Sequence, residues 1–167
     1  MMNLIVNPMA KRGKGLQLVE TAKSYLNNAG IEYKVHMTEF PKHATEIAYN
    51  LVMEGVDTIV SCGGDGTINE VINGIIKAKN KLAESGKVSN VKLGLLPCGT
   101  GNDFIRSAGM ETDIIEATKL LINGNAKPAD AINVGGHYEI CFACQGIDAE
   151  VVKMVNASRR KTKLSYL

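Results

Sequence analysis

The sequence predicts an α/β fold, three layers deep around a mainly parallel sheet, followed by the start of a second, all-β domain. Three observations predict it. Short β-branched runs alternate with segments of helical apolar spacing through residues 1–127. Two of those runs open straight into glycine-rich turns, Gly63-Gly64-Asp65-Gly66-Thr67 and Cys98-Gly99-Thr100-Gly101-Asn102-Asp103. Beyond Pro128 the spacing changes to strand alternation on both sides of Gly135-Gly136, the mark of an antiparallel hairpin. Strand, helix, strand repetition implies right-handed crossovers and a parallel, Rossmann-like sheet with helices on both faces. The carboxyl edge of such a sheet is where ligands bind.

In chain order, Leu4-Ile5-Val6 reads as a strand halted at Asn7-Pro8, and Lys11-Arg12-Gly13-Lys14-Gly15 as a basic loop. Leu16, Val19, Ala22 and Leu26 share one helical face, and Asn27-Asn28-Ala29-Gly30 stops that helix. Alternation at Ile31, Tyr33, Val35 and Met37 gives a second strand, and Ala44, Ile47, Ala48, Leu51 and Val52 give a second helix ending before Gly55. Residues 56–60 form the third strand. Ile68, Val71, Ile72, Ile75 and Ile76 then mark a helix starting at about Thr67, where Thr67 and Glu70 have the spacing of a capping box. Residues 77–89 read as a polar connector, and residues 91–96 as a fourth strand cut by Pro97. A short helix carries Phe104, Ile105 and Ala108, and a last one runs from about Asp113 to Ile122, closed by Asn123-Gly124.

Residues 128–167 supply the hairpin, a helical stretch with Val151, Val152 and Val155, and the basic run Arg159-Arg160-Lys161-Thr162-Lys163. A lone hairpin is marginal in water, so the chain is expected to be the first part of a longer protein, with the second domain truncated.

Composition excludes several classes. With 167 residues, 45% of them hydrophobic and 22% charged, the chain is ordinary for a globular domain with a substantial core. A net charge of +2, from 19 basic and 17 acidic residues, implies no nucleic-acid partner. No window approaches the length of a membrane span, and the start Met1-Met2-Asn3-Leu4-Ile5-Val6 lacks a charged leader, so a cytoplasmic protein is expected. The four cysteines fit a reducing compartment. Cys141 and Cys144 have the spacing of half a metal site, but no second pair exists and they read as small residues of a strand.

The chemistry lies in the turns. Three glycines around Asp65 let backbone approach a bulky anion, and the helix that follows offers unpaired N–H groups and the positive end of its dipole. The second turn repeats the pattern with Thr100, Asn102 and Asp103, although Asn102 or Asp103 could serve only as a helix cap. Neither turn fits the Walker pattern or the dinucleotide fingerprint. What remains is a nucleotide site of another kind. Phosphoryl transfer needs positioning and charge neutralisation, usually by Mg²⁺ on hard oxygen ligands, and Asp65 and Asp103 are the candidates.

Asn7-Pro8, Gly63-Gly64-Asp65-Gly66-Thr67-Ile68-Asn69-Glu70-Val71 and Leu96-Pro97-Cys98-Gly99-Thr100-Gly101-Asn102-Asp103-Phe104, in this order, resemble the catalytic domain of diacylglycerol kinases and their bacterial lipid-kinase relatives. The Gly-Gly-Asp-Gly core is shared with NAD kinases; the Gly99 to Phe104 motif favours lipid kinases. The resemblance implies that residues 1–127 bind ATP with Mg²⁺. Asn7, Pro8, Met9, Ala10 and Lys11 would lie along the nucleotide, Thr38 would contact it, and Gly63, Gly64, Asp65, Gly66, Thr67, Asn69 and Glu70 would hold the phosphates. Gly99, Thr100 and Asp103 would close the other side, with Asp65 as the catalytic and indirectly metal-binding residue. Gly146-Ile147-Asp148-Ala149 matches the family's entry to the second domain, whose acidic residues would lie beyond Leu167.

By the same resemblance the partner is a lipid at the membrane surface, reached by peripheral association, and the chain alone is expected to turn over poorly. A homodimer stays open. An NAD kinase-like enzyme and a non-catalytic nucleotide-binding module are the alternatives.

Overall fold

The computed structural model describes residues 1–124 and 126–140. Four parallel strands, β1 (Met2–Val6), β2 (Tyr33–Met37), β3 (Thr58–Gly63) and β4 (Lys92–Pro97), lie in the order β2-β1-β3-β4. The chain turns one way from β1 to β2 and the other way to β3, so the sheet's switch point falls between the carboxyl ends of β1 and β3.

Alternate residues of the central strands face opposite layers. Leu4, Val6, Val60, Cys62 and Leu96 pack with Val19, Ala22 and Leu26 of α1 (Gly15–Asn28) and Ala117 of α5 (Ile114–Asn123). Ile5 and Ile59 pack on the other face against α2 (His43–Met53) and α3 (Asp65–Glu84), through Ala48, Leu51, Val71 and Ile75. A short α4 (Asp103–Ser107) plants Ile105 beside Ile68, Ile72 and Leu95. These are the predicted three layers.

Four boundaries differ from the sequence reading, two of α3 and the starts of β2 and β3. The α3 helix begins at Asp65, not at about Thr67, and runs on to Glu84 through much of the expected connector. The connector reading failed because residues 77–84 are polar on the outside yet keep Ala78 fully buried and Leu82 packed on the core. The helix stops where Gly86 takes φ +70, letting Lys87 N–H bond Leu82 C=O at 2.9 Å and Gly86 N–H bond Ala83 C=O at 3.0 Å. The same glycine-terminated closure ends α1 and α2, where Ile31 N–H bonds Leu26 C=O and Val56 N–H bonds Leu51 C=O. Those bonds take Ile31 and Val56 out of their strands, so β2 and β3 start at Tyr33 and Thr58.

The α2 and α3 helices touch at Gly74, where an added Cβ would stand 2.8 Å from Ala48 Cβ and collide with the Thr45 carbonyl. Gly74→Ala is expected to cost roughly 2 kcal/mol through overpacking, and calorimetry should show a melting temperature lower by about 5 °C.

The predicted hairpin is present as β5 (Ile132–Val134) and β6 (His137–Glu139), antiparallel and joined by Gly135-Gly136. It lies against α3. The expected helical stretch, Cys141 and Cys144, the Gly146 to Ala149 segment and the basic run lie outside the described residues.

Candidate active site

Three loops leave the carboxyl ends of β1, β3 and β4 and are tied together above the switch point. The main-chain ladder continues past the strands, with Asn7 N–H donating to Cys62 C=O and Cys98 N–H to Gly63 C=O, both at 3.1 Å. At the first junction Asn7 uses its whole side chain. Its Nδ2 donates to Thr67 Oγ1 at 3.0 Å, and its Oδ1 accepts from Met9 N–H at 2.9 Å, folding the first loop into a tight turn.

Thr67 is therefore not a cap. Gly64 occupies the N-cap position, and the capping box read from Thr67 and Glu70 is absent because the helix starts earlier and the buried Thr67 hydroxyl faces Asn7. A Cβ on Gly63 would strike the Thr67 side chain. The first N–H groups of α3 are left without intrahelical partners by helix geometry, and they sit under the positive end of a 20-residue helix.

The second junction joins the two glycine-rich turns. A Cβ on Gly99 would overlap Gly64 Cα, so the two backbones touch where neither residue has a side chain. Asn102, at φ +54, folds its amide back on the turn: Oδ1 accepts from Gly99 N–H at 3.1 Å and Nδ2 donates to Gly99 C=O at 3.3 Å. It occupies the N-cap position of α4 but makes no side-chain cap bond there. That bond comes from the other turn, since Phe104 N–H donates to Asp65 Oδ1 at 3.0 Å. Asp65 thus binds the two turns. Asp103 remains exposed, 3.8 Å from Arg106. A Cβ on Gly101 would stand 3.0 Å from both Asp65 Oδ2 and Asp103 Oδ2, so these two carboxylates converge on the bare Gly101.

The predicted residues divide as follows. Asn7, Gly63, Gly64, Asp65, Gly66, Thr67, Gly99, Thr100 and Asp103 gather at this rim, with Thr100 exposed on the second turn. Pro8, Met9, Ala10 and Lys11 form the first loop, where the Ala10 side chain is buried in the core and contributes packing. Lys11 and Arg12 both take left-handed backbone, at φ +51 and +57, a costly conformation for residues with a Cβ. Thr38 stands one strand away, its N–H bonded to Val6 C=O at 2.9 Å. Glu70 has its carbonyl held by Thr45 Oγ1 at 2.9 Å. Asn69 points its amide at the hairpin, donating to Glu139 Oε1 at 3.1 Å.

The sequence reading offers Asn102 as a polar group of the second turn or a helix cap, and the structure makes it a clasp on Gly99 instead. It misses Asn73, whose signal is a polar residue four positions after Asn69 and eight after Asp65.

Cys62 and Cys98 lie buried under the turns. Burial pushes both thiols up, Cys98 from 9.0 to about 12. An unfolded thiol ionises at its ordinary value, so the stability Cys98 contributes is intact below about pH 9 and is lost as pH rises toward 12. Neither thiol should react with iodoacetamide in the folded protein at pH 8, and both should react on denaturation. Fast labelling at Cys62 or Cys98 of the native chain, located by peptide mapping, would contradict their placement.

A groove lined by Met53, Val56, Leu82 and Val88 lies at the amino ends of β3 and β4, at the opposite end of the sheet. It takes no part in the rim.

The family model for the diacylglycerol kinase catalytic domain matches residues 1–134. The chain is 35% identical over 165 residues to the diacylglycerol kinase of Bacillus subtilis (strain 168), covering 98% of this chain and 51% of that protein. It is 33% identical over 143 residues to a diacylglycerol kinase of Staphylococcus aureus (strain MRSA252), covering 86% and 42%. A crystal structure of a diacylglycerol kinase from Bacillus anthracis str. Sterne superimposes with a TM-score of 0.66 at 31% identity, covering 82% of this chain and 48% of that one. The chain spans about half the length of the relatives it matches.

Proposed function

The chain belongs to the diacylglycerol kinase catalytic domain family, and from that premise we propose that it is the nucleotide-binding part of an ATP-dependent lipid kinase, which moves the γ-phosphoryl group to a lipid hydroxyl. The observation that carries this reading is the meeting of the two glycine-rich turns at Gly64 and Gly99, with Asp65 bridging them. Backbone N–H groups at the start of α3 receive phosphate oxygens, and the missing side chains allow the close approach.

The donor set suits Mg²⁺ bound together with phosphates. Among the described residues no group of three or more acidic, cysteine or histidine ligands exists that could cage an ion. Mg²⁺ needs only one or two carboxylates from a protein, which Asp65 and Asp103 would provide. When bound, it neutralises charge on the transferring phosphoryl group. Asp65 already accepts from Phe104 N–H through Oδ1, so its Oδ2 is the oxygen turned toward Gly101 and the second carboxylate. Asn7 and Asn102 act on the loops, fixing their backbones before any ligand arrives.

No helix among the described residues is long and apolar enough to cross a membrane. ATP is the donor and a diacylglycerol acceptor lies in the bilayer, so this reading has the enzyme meet the membrane surface peripherally, from its cytoplasmic side. The test is transfer of labelled γ-phosphate by the longest protein that carries this sequence, offered diacylglycerol in mixed micelles or NAD in solution. Labelled lipid without labelled NADP is expected. Labelled NADP alone would favour the NAD kinase-like alternative. The 167-residue chain alone is expected to bind nucleotide yet phosphorylate lipid poorly, and robust turnover by it would contradict that.

A further inference from the structure

We propose that Asn73 is a positioning residue: its side chain acts as a one-residue strand that holds the β5–β6 hairpin in register against α3, and so fixes which hairpin groups stand beside the phosphate turn. The proposed function enters only through the turnover measurement below.

Asp65, Asn69 and Asn73 recur every four residues and so share one face of α3, forming a polar stripe that runs from the phosphate turn to the hairpin. At its far end Asn73 Nδ2 donates to Tyr138 C=O at 2.7 Å, while Tyr138 N–H donates to Asn73 Oδ1 at 2.9 Å. Exchange of both bonds with a single residue is what a hydrogen-bonded neighbour in an antiparallel sheet provides. One edge of β6 pairs with β5, and Asn73 meets Tyr138 of the same strand from the helix side. The amide is held from its own helix as well, by Nδ2 to Asn69 C=O at 2.9 Å.

Register has consequences nearer the site. With Tyr138 held, Glu139 Oε1 reaches Asn69 Nδ2 at 3.1 Å and His137 Nε2 lies 3.4 Å from the same amide. Asn69 is one helical turn from Asp65. A slip of one residue would turn Glu139 and His137 to the other face of the strand and break this link. An amide carries a donor and an acceptor side by side on one carbon, as a peptide edge requires: Asp lacks the donor, Leu lacks both, and Gln keeps both on a longer stem.

The experiment compares Asn73→Leu and Asn73→Gln by hydrogen exchange over residues 132–139, by Mg-ATP calorimetry, and by kcat and KM in the longest protein that carries the sequence. In Asn73→Leu, exchange at the Tyr138 amide should quicken about tenfold while α3 and the sheet stay protected. Nucleotide affinity and KM for ATP should stay within about threefold while kcat falls about tenfold, and Asn73→Gln should recover part of both losses. Unchanged exchange at Tyr138 overturns the proposal, as does loss of protection throughout α3, which would make Asn73 a general stabiliser. If the unsubstituted enzyme transfers no phosphoryl group, the kinase reading fails, and the exchange result still decides the role of Asn73.

Discussion

Asp65→Asn should leave the fold intact and lower phosphoryl transfer by about 10²- to 10³-fold, the scale on which loss of a group aimed at developing charge is felt. The two halves of this expectation come from two oxygens. Oδ1 accepts from Phe104 N–H and joins the turns, a bond that asparagine can still accept. Oδ2 faces the space over Gly101 beside Asp103, and there a charged acceptor oxygen gives way to a neutral NH2 donor. The variant should therefore melt within about 0.5 kcal/mol of the parent, while Asp65→Ala, which leaves Phe104 N–H without its partner, should lose about 1–2 kcal/mol. The gain in nucleotide affinity that Mg²⁺ brings should shrink in Asp65→Asn, because one of the two converging carboxylates is neutralised. Paired melting curves and turnover numbers for the two variants check both halves. Equal stability of Asp65→Ala and the parent would show that the bridge contributes nothing.

Gly99→Ala carries the second large effect. Its Cβ has no room beside Gly64 Cα, and Asn102 Oδ1 stands 2.7 Å away as well, so the turn must open. Opening it breaks the Asn102 clasp and draws Asp65 from Phe104 N–H. Nucleotide affinity should fall at least about 30-fold, and stability should fall by roughly 2 kcal/mol from overpacking. Gly66, where an added Cβ meets nothing within 4 Å, is the control. Gly66→Ala lies in the first turn of α3 and should keep its stability, so a loss of affinity there would report contact with the ligand itself.

Much of this was legible in the sequence, for identifiable reasons. Leu4, Ile5 and Val6 at the centre of the sheet, and Val19, Ala22 and Leu26 on one helix face, give periodicities that only burial on those faces explains. The glycine-rich turns were legible because glycine between a strand and a helix is costly unless backbone must come close. What failed was local chemistry decided by partners far along the chain. Thr67 and Glu70 have capping spacing, yet Thr67 is claimed by Asn7, 60 residues away. Asn102 reads as a turn group or a cap for its own helix, while the cap bond runs from Phe104 N–H to Asp65, 39 residues back. Asn73 carried no motif, since its partner is the backbone of Tyr138, 65 residues on, and a backbone partner leaves no mark on the sequence. The α3 end was misplaced because the outward polar face of residues 77–84 masked Ala78 and Leu82 beneath it.

The most direct measurement is titration calorimetry of the folded chain with Mg-ATP. Two turns touching at Gly64 and Gly99 predict one nucleotide per chain, with affinity that falls when Mg²⁺ is withheld and collapses in Gly99→Ala. Absence of heat from a chain whose melting curve shows it folded, or unaltered binding in Gly99→Ala, would contradict a phosphate site at this rim.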